Sequence, residues 1–187
     1  MRKIILGFVL AVGLFNVASA EPVKFAMIKE KSHLKFVAMQ NGAPVTGKFH
    51  EFDTDISFDF TRVQDGKIKA VVKTGSVSTD YEEVEKNLKL PEWLSVELFP
   101  EATFETTKIS QIPDSKDYYA EGTLKLRDKT VPITLNFQLK DYGDVTIAEG
   151  YATIRRNDFG VGQGEWVKTD TIKNEVRVEF RIAAKKM

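Results

Sequence analysis

The most regular feature of the chain is an alternation of apolar and polar residues that begins near Ser32 and recurs to the C-terminus. Successive side chains of an extended strand point to opposite faces, so each run predicts a strand with one apolar and one polar face. The last run is the clearest, with one face formed by Val176, Val178, Phe180 and Ile182 and the other by Glu175, Arg177, Glu179 and Arg181. The pattern predicts an all-β protein.

Short turn signals separate these runs, for example at residues 41–44, 64–66, 127–129 and 141–144. Short loops favour antiparallel neighbours. About eight such strands with one apolar face must close into a barrel or pack against a second sheet, because open edges invite aggregation. The pattern alone leaves both architectures open.

One segment departs from the period of two. Tyr81, Val84 and Leu88 are spaced as on one face of a helix, which predicts one main helix over about residues 79–90. Thr79 and Glu82 have the spacing of a capping box, and the helix should end before Pro91. The apolar residues that follow, from 93 to 99, are expected to cover one end of the β-structure.

The N-terminus has the three-part layout of a signal peptide. Arg2 and Lys3 precede an uncharged run that ends in Ala18-Ser19-Ala20, and the apolar stretch is short of the ~20 residues that span a bilayer. We expect residues 1–20 to be cleaved and residues 21–187 to form one domain without an integral membrane segment, located in the periplasm or secreted.

Composition narrows the function further. The 187 residues include no cysteine, which excludes disulfides, thiol nucleophiles and thiolate metal sites. The 27 basic and 27 acidic residues balance, so the basic excess typical of nucleic-acid binders is missing. His33 and His50 have no metal-ligand spacing, and no catalytic motif is present. We expect no metal, no cofactor and no enzymatic activity.

Five motifs, in order along the chain, resemble the YceI-like family of polyisoprenoid-binding proteins. They are the segments at residues 32–36 with 47–49, 87–94, 98–104, 122–126 with 130–135, and 156–161. Three positions differ from the usual family residue: Asn87 replaces histidine, Trp93 replaces phenylalanine and Asp128 replaces glycine. These differences leave the identity of a ligand open.

The resemblance implies a single extended, lipocalin-like, antiparallel eight-stranded barrel with one helix. It also implies a periplasmic binding or carrier protein for a long-chain apolar lipid held in the barrel: a polyisoprenoid, an isoprenoid quinone precursor or a fatty-acid-like amphiphile. The alternative is a stress-related structural or interaction protein whose barrel is packed and holds no lipid. A homodimer is compatible with either.

Candidate site residues are taken from two places. The first is the inward phase, the apolar face of each strand that is expected to point into the barrel, and the second is the apolar cluster that follows the helix. A barrel of eight strands can hold packed side chains or one small ligand. The residues expected to line such a cavity are Phe36, Phe49, Phe58, Leu88, Trp93, Phe99, Phe104, Leu124, Leu126 and Phe137. Arg155, Arg156 and Asp158 are candidates to bind a polar head group, and the competing interpretation is a structural ion pair that fixes their loop.

Overall fold

The computed structural model of the protein describes residues 22–187, so the signal peptide expected at residues 1–20 lies outside the described part. Eleven strand segments follow the alternating pattern. They are β1 (Val23–Met27), β2 (His33–Gln40), β3 (Ala43–Phe49), β4 (Phe52–Phe58), β5 (Lys67–Lys73), β6 (Val77–Thr79), β7 (Glu101–Gln111), β8 (Asp117–Leu126), β9 (Lys129–Asp141), β10 (Val145–Arg155) and β11 (Ile172–Lys186).

Antiparallel pairing closes these segments into a barrel of eight strands. The long strand β11 pairs with β10 on one side, and on the other with β2 near its start and with β1 near its end. β1 and β2 therefore act as one interrupted strand. β3 and β4 likewise form one interrupted strand, and so do β5 and β6. On one side of this pair of interrupted strands, β4 lies between β1 and β5; further along, β3 lies between β2 and β6. The predicted barrel is confirmed.

Serine side chains replace backbone hydrogen bonds where the strands are interrupted. The Ser32 hydroxyl donates to the Ile28 carbonyl (2.8 Å) and accepts from the Ala183 amide (3.0 Å). The Ser76 hydroxyl donates to Lys73 O (2.7 Å) and accepts from the Glu51 amide (3.0 Å). The chain can therefore bend at both places while these backbone groups keep hydrogen-bond partners.

The predicted helix is present as α1 (Glu82–Lys89) and ends at Leu90, before Pro91. The predicted capping box is wrong. Thr79 is the last residue of β6, and its hydroxyl binds the amide and the carbonyl of Tyr81 instead of an amide inside the helix. Tyr81 is the N-cap residue and makes no side-chain cap. Ion pairs of Glu82 with Lys86 and of Glu85 with Lys89 support the helix.

The interior contains two apolar clusters, one toward each end of the barrel. We call the end that carries α1 the capped end; its cluster includes Phe36, Val77, Leu94 and Phe159. The cluster toward the other end, the far end, includes Phe25, Phe58, Ile109 and Phe137. The two clusters share no residue.

A buried arginine organises the wall at the capped end. β9 and β10 pair only as far as Asn136 and Tyr151, and a 3₁₀ turn at Arg156–Phe159 packs where they separate. Arg156 is 2% exposed. All five of its N–H groups donate to protein oxygens, namely Lys173 O, Val161 O, Lys168 O, Ile172 O and Asn157 Oδ1. Burial lowers the pKa of the Arg156 guanidinium.

Residues 90–99, which we call the cap segment, lie across the capped end and are held by hydrogen bonds at three places. The Arg127 guanidinium donates to the carbonyls of Pro91 (2.8 Å) and Trp93. The buried Thr74 hydroxyl donates to Phe99 O (2.7 Å). Gly162 and Gln163 donate their amides to the Glu92 carbonyl at 2.8 Å each. The expected cover over one end of the barrel is therefore present.

Arg127 makes these bonds from a strained backbone position. It is the first residue of the two-residue turn between β8 and β9, where its φ is 56°, a region that non-glycine residues seldom occupy. The side chain is 7% exposed and lies over the Phe99 ring, 5.4 Å from its centroid. Contacts of the buried guanidinium with the cap segment stabilise a turn that glycine would adopt more readily.

Replacing Arg156 by methionine should destabilise the barrel strongly. The substitution leaves the carbonyls of Val161, Lys168, Ile172 and Lys173 without their donor, and we expect a loss of about 3 kcal/mol or more in the free energy of unfolding. Urea denaturation followed by circular dichroism measures it.

Arg155→Met is the matched control, because this neighbouring arginine is 65% exposed and forms only a 3.9 Å ion pair with Asp158. Its effect should stay below about 0.5 kcal/mol. Equal losses for the two variants would contradict the role of Arg156.

Arg127→Gly should loosen the cap segment without unfolding the barrel. Glycine relieves the positive φ, but the bonds to Pro91 and Trp93 are lost. We expect faster hydrogen exchange in residues 90–99, measured by mass spectrometry of peptic fragments.

Asn41→Gly is the control, because Asn41 also has a positive φ, 51°, in the turn between β2 and β3. It should leave exchange in the cap segment unchanged. An Arg127→Gly protein that protects residues 90–99 as the parent does would show that the arginine does not hold this segment.

Candidate functional site

The capped end of the barrel contains an apolar cavity of about 170 Å³. Its wall is formed by inward residues of the strands, together with α1 and the cap segment. Leu34 and Phe36 contribute from β2, Leu124 and Leu126 from β8, and Val176 and Val178 from β11. These residues lie in the cavity because the period of two turns every second side chain inward.

The wall of this cavity offers no free polar group among the residues that line it. Thr74 and Arg156 are its two polar residues. The hydroxyl of Thr74 is bonded to Phe99 O, and every N–H of Arg156 is bonded to the protein. A molecule inside would therefore meet an entirely apolar surface.

A second space of about 100 Å³, which we call the mouth, adjoins the cavity between α1, β2, β3 and Trp166. The two spaces share five lining residues, namely Phe36, Ala38, Leu88, Trp93 and Ile172. The mouth adds the amide side chains of Gln40 and Asn87. The Trp93 and Trp166 rings lie 5.8 Å apart there. The space is apolar inside and bears neutral polar groups where it reaches the surface.

The structure brings six of the ten predicted cavity residues together around this space. They are Phe36, Phe49, Leu88, Trp93, Leu124 and Leu126. The other four are elsewhere. Phe58 and Phe137 lie in the cluster toward the far end, Phe104 packs over Gly122, and Phe99 lies beneath Arg127. Contact of any of the ten with a ligand stays a prediction.

Several lining residues were not among those predicted. Leu34, Val72, Val176 and Val178 belong to the inward phase of their strands, so the alternation contains the signal that could have found them. Leu94 comes from the non-periodic cap segment, and no pattern in the sequence marks it as a wall residue.

The predicted head-group residues are not at the mouth. Arg155 and Asp158 line a groove of about 720 Å³ on the outer surface, beside the place where β9 and β10 separate. Ile154 lines both the groove and the cavity and so lies between them. Arg156 faces the cavity but has no N–H left to donate to a head group.

Residues 22–187 contain no cluster of three or more histidine, cysteine, aspartate or glutamate side chains that could hold a metal ion. His33 is exposed, as its polar phase predicts, and His50 is hydrogen bonded to Ser78 Oγ at 2.8 Å. Over the same residues, no helix has both the length and the apolar character needed to cross a bilayer.

Comparison with solved structures shows the same fold. The structure of BcnA from Burkholderia cenocepacia matches with a TM-score of 0.81 at 24% identity, covering 85% of this chain and 99% of that one. A YceI protein from Campylobacter jejuni matches with a TM-score of 0.71 at 18% identity over 98% and 99% of the two chains. A polyisoprenoid-binding domain from Saccharophagus degradans matches at 0.66 and 15%, over 88% and 99%.

Sequence comparison places the chain in a family. The protein named YceI from Salmonella arizonae is 35% identical over 147 residues, which are 77% of this chain and 76% of that protein, and YceI from Salmonella paratyphi B matches equally. The model of the YceI-like domain matches residues 25–184, nearly the whole described barrel. The chain therefore belongs to the YceI-like family.

Proposed function

We propose that the protein is an exported carrier that binds one apolar lipid chain, of the isoprenoid type, inside the capped end of its barrel. The observation that carries this proposal is an apolar cavity that shares five lining residues with a mouth bearing neutral polar side chains. The polyisoprenoid-binding domain from Saccharophagus degradans, which has the same fold, supports the choice of ligand class.

Apolar transfer supplies the free energy that such binding requires. Each CH₂ group removed from water contributes about 0.8 kcal/mol, so a chain of fifteen or more carbons gains about 12 kcal/mol, comparable with the ~4–15 kcal/mol cost of association. Because the wall has no free polar group, the tail should be selected by length and bulk. The mouth is where a head group can be distinguished.

Two of the three departures from the usual family residues line this mouth. Asn87 and Trp93 stand where histidine and phenylalanine are usual, and they lie next to Gln40 and Trp166. Neutral amide and indole donors, with no charged side chain among the lining residues of the mouth, suit a neutral hydrogen-bond acceptor better than a diphosphate.

The export proposal rests on the N-terminal sequence. Expression of the full chain in a Gram-negative host, followed by intact mass measurement of the periplasmic protein, should show a chain that begins at Glu21.

Native mass spectrometry of the same sample should show an additional lipid-sized mass that disappears on denaturation. A protein that carries no lipid and also does not bind added prenols would point instead to a packed barrel that acts through its surface.

Ala38→Phe should block the site while the barrel stays folded. Ala38 lines both the cavity and the mouth, so an added ring obstructs the passage between them. We expect at least a tenfold loss of affinity for farnesol, measured by displacement of an apolar fluorophore.

Ala26→Phe is the matched control, because Ala26 is exposed on the outer face of β1. It should bind farnesol as the parent does. Unchanged farnesol affinity in the folded Ala38→Phe protein would place the ligand elsewhere.

A further inference from the structure

The space inside the barrel is divided into two parts. The cavity at the capped end has about 170 Å³, and a void toward the far end has about 50 Å³. No residue lines both. A layer of side chains must therefore separate them.

Four aromatic rings cross the lumen in this region, and we call them the aromatic row. Phe58 of β4 lies 6.1 Å from Tyr118 of β8, which is stacked on Phe137 of β9 at 5.6 Å. Phe137 in turn lies 6.5 Å from Phe180 of β11. The row thus connects strands on opposite sides of the barrel.

A glycine in the wall lets the backbones of β9 and β10 approach closely beside the row. Gly150 of β10 is paired with Phe137 of β9, and a Cβ atom at Gly150 would come within 2.5 Å of Phe137 Cβ and 2.1 Å of Asn136 O. A larger residue would push the backbone of β9 at Asn136 and Phe137 away from β10. The rings therefore fill the width of the barrel beside a wall residue that has no side chain.

Phe180 is the ring of the row that lies between the cavity and the void along β11. Along the inward phase of β11, Val176 and Val178 line the cavity, Phe180 follows, and Ile182 lines the void toward the far end. The cavity therefore ends between Val178 and Phe180.

We propose that the aromatic row is a length stop that limits how much of a lipid tail enters the barrel; this rests on the lipid-carrier function proposed above. Gln40 of the mouth and Leu34 of the cavity are six residues apart on β2, which pairs with β3 without a register shift; at ~3.3 Å per residue and a strand tilt of ~40° this is about 15 Å along the barrel. Three extended isoprene units, each with four chain bonds that advance the chain by ~1.2 Å apiece, have about this length. Any further units of a longer tail remain outside the lumen.

Prenols of increasing length test the stop. In displacement assays with geraniol, farnesol and geranylgeraniol, affinity should rise at least about tenfold from ten to fifteen carbons, because a further unit is buried. From fifteen to twenty carbons it should rise less than about threefold. An equal gain at both steps would overturn the length stop and leave the carrier function intact, whereas failure of all three prenols to bind would reject the carrier function itself.

Phe180→Ala should move the limit toward longer tails. Removal of the ring connects the cavity with the void, so geranylgeraniol should gain at least about tenfold over farnesol. Phe60→Ala is the matched control, because Phe60 touches the row at Phe58 but is 46% exposed; it should behave as the parent does. Parent-like length dependence in folded Phe180→Ala would contradict the proposal.

Val178→Phe tests the same stop in the opposite direction and does not depend on a cavity-forming substitution. The added ring raises the floor of the cavity by one inward position, so farnesol should lose its advantage over geraniol. A farnesol preference equal to that of the parent would show that Val178 does not lie above the floor.

Discussion

Closure of the sheet is the constraint on which the rest of the structure depends. β11 pairs on both sides, with β10 and with the interrupted strand formed by β1 and β2, and this removes the long free edges that an open sheet would expose. Closure also fixes the width of the interior. Eight strands leave a space that side chains can fill or that one ligand can occupy. In this protein, side chains pack together toward the far end, and the capped end contains the cavity.

The two ends of the barrel are stabilised in different ways. Toward the far end, Phe25, Phe58, Ile109 and Phe137 form a packed apolar cluster. At the capped end, part of the interior is cavity, and dispersion contacts are correspondingly fewer. Hydrogen bonds from buried side chains to backbone carbonyls compensate there, above all those of Arg127 and Arg156. Such bonds hold loops in place around a space without filling it.

The sequence predicts the strands and the helix well because both depend on local patterns. The alternation and the spacing of Tyr81, Val84 and Leu88 are visible without any long-range contact. The alternation does not show how far along the barrel axis an inward residue lies. Phe58 and Phe137 have the inward phase that was predicted, yet they lie toward the far end because the stagger between strands decides which layer an inward residue enters.

The two buried arginines show a second limit. Arg156 continues the inward phase of Ile154, so alternation could have placed it inside; its charge favoured a surface role instead. No pattern in the sequence predicts the buried position of Arg127, because its partners are the carbonyls of Pro91 and Trp93, which are 36 and 34 residues away. Backbone acceptors are present at every position and do not mark the sequence.

The pairing of β1 with β11 also bears on when the protein can fold. β1 pairs with the nearby strand β4 on one side, but on the other side Phe25 is paired with Lys186, so this second neighbour is present only when the last residues of the chain have emerged. Contacts of such large sequence separation have a high loop-closure entropy, and barrels built on them fold in about milliseconds to seconds. A chain whose first and last strands must pair cannot close its barrel until synthesis is complete.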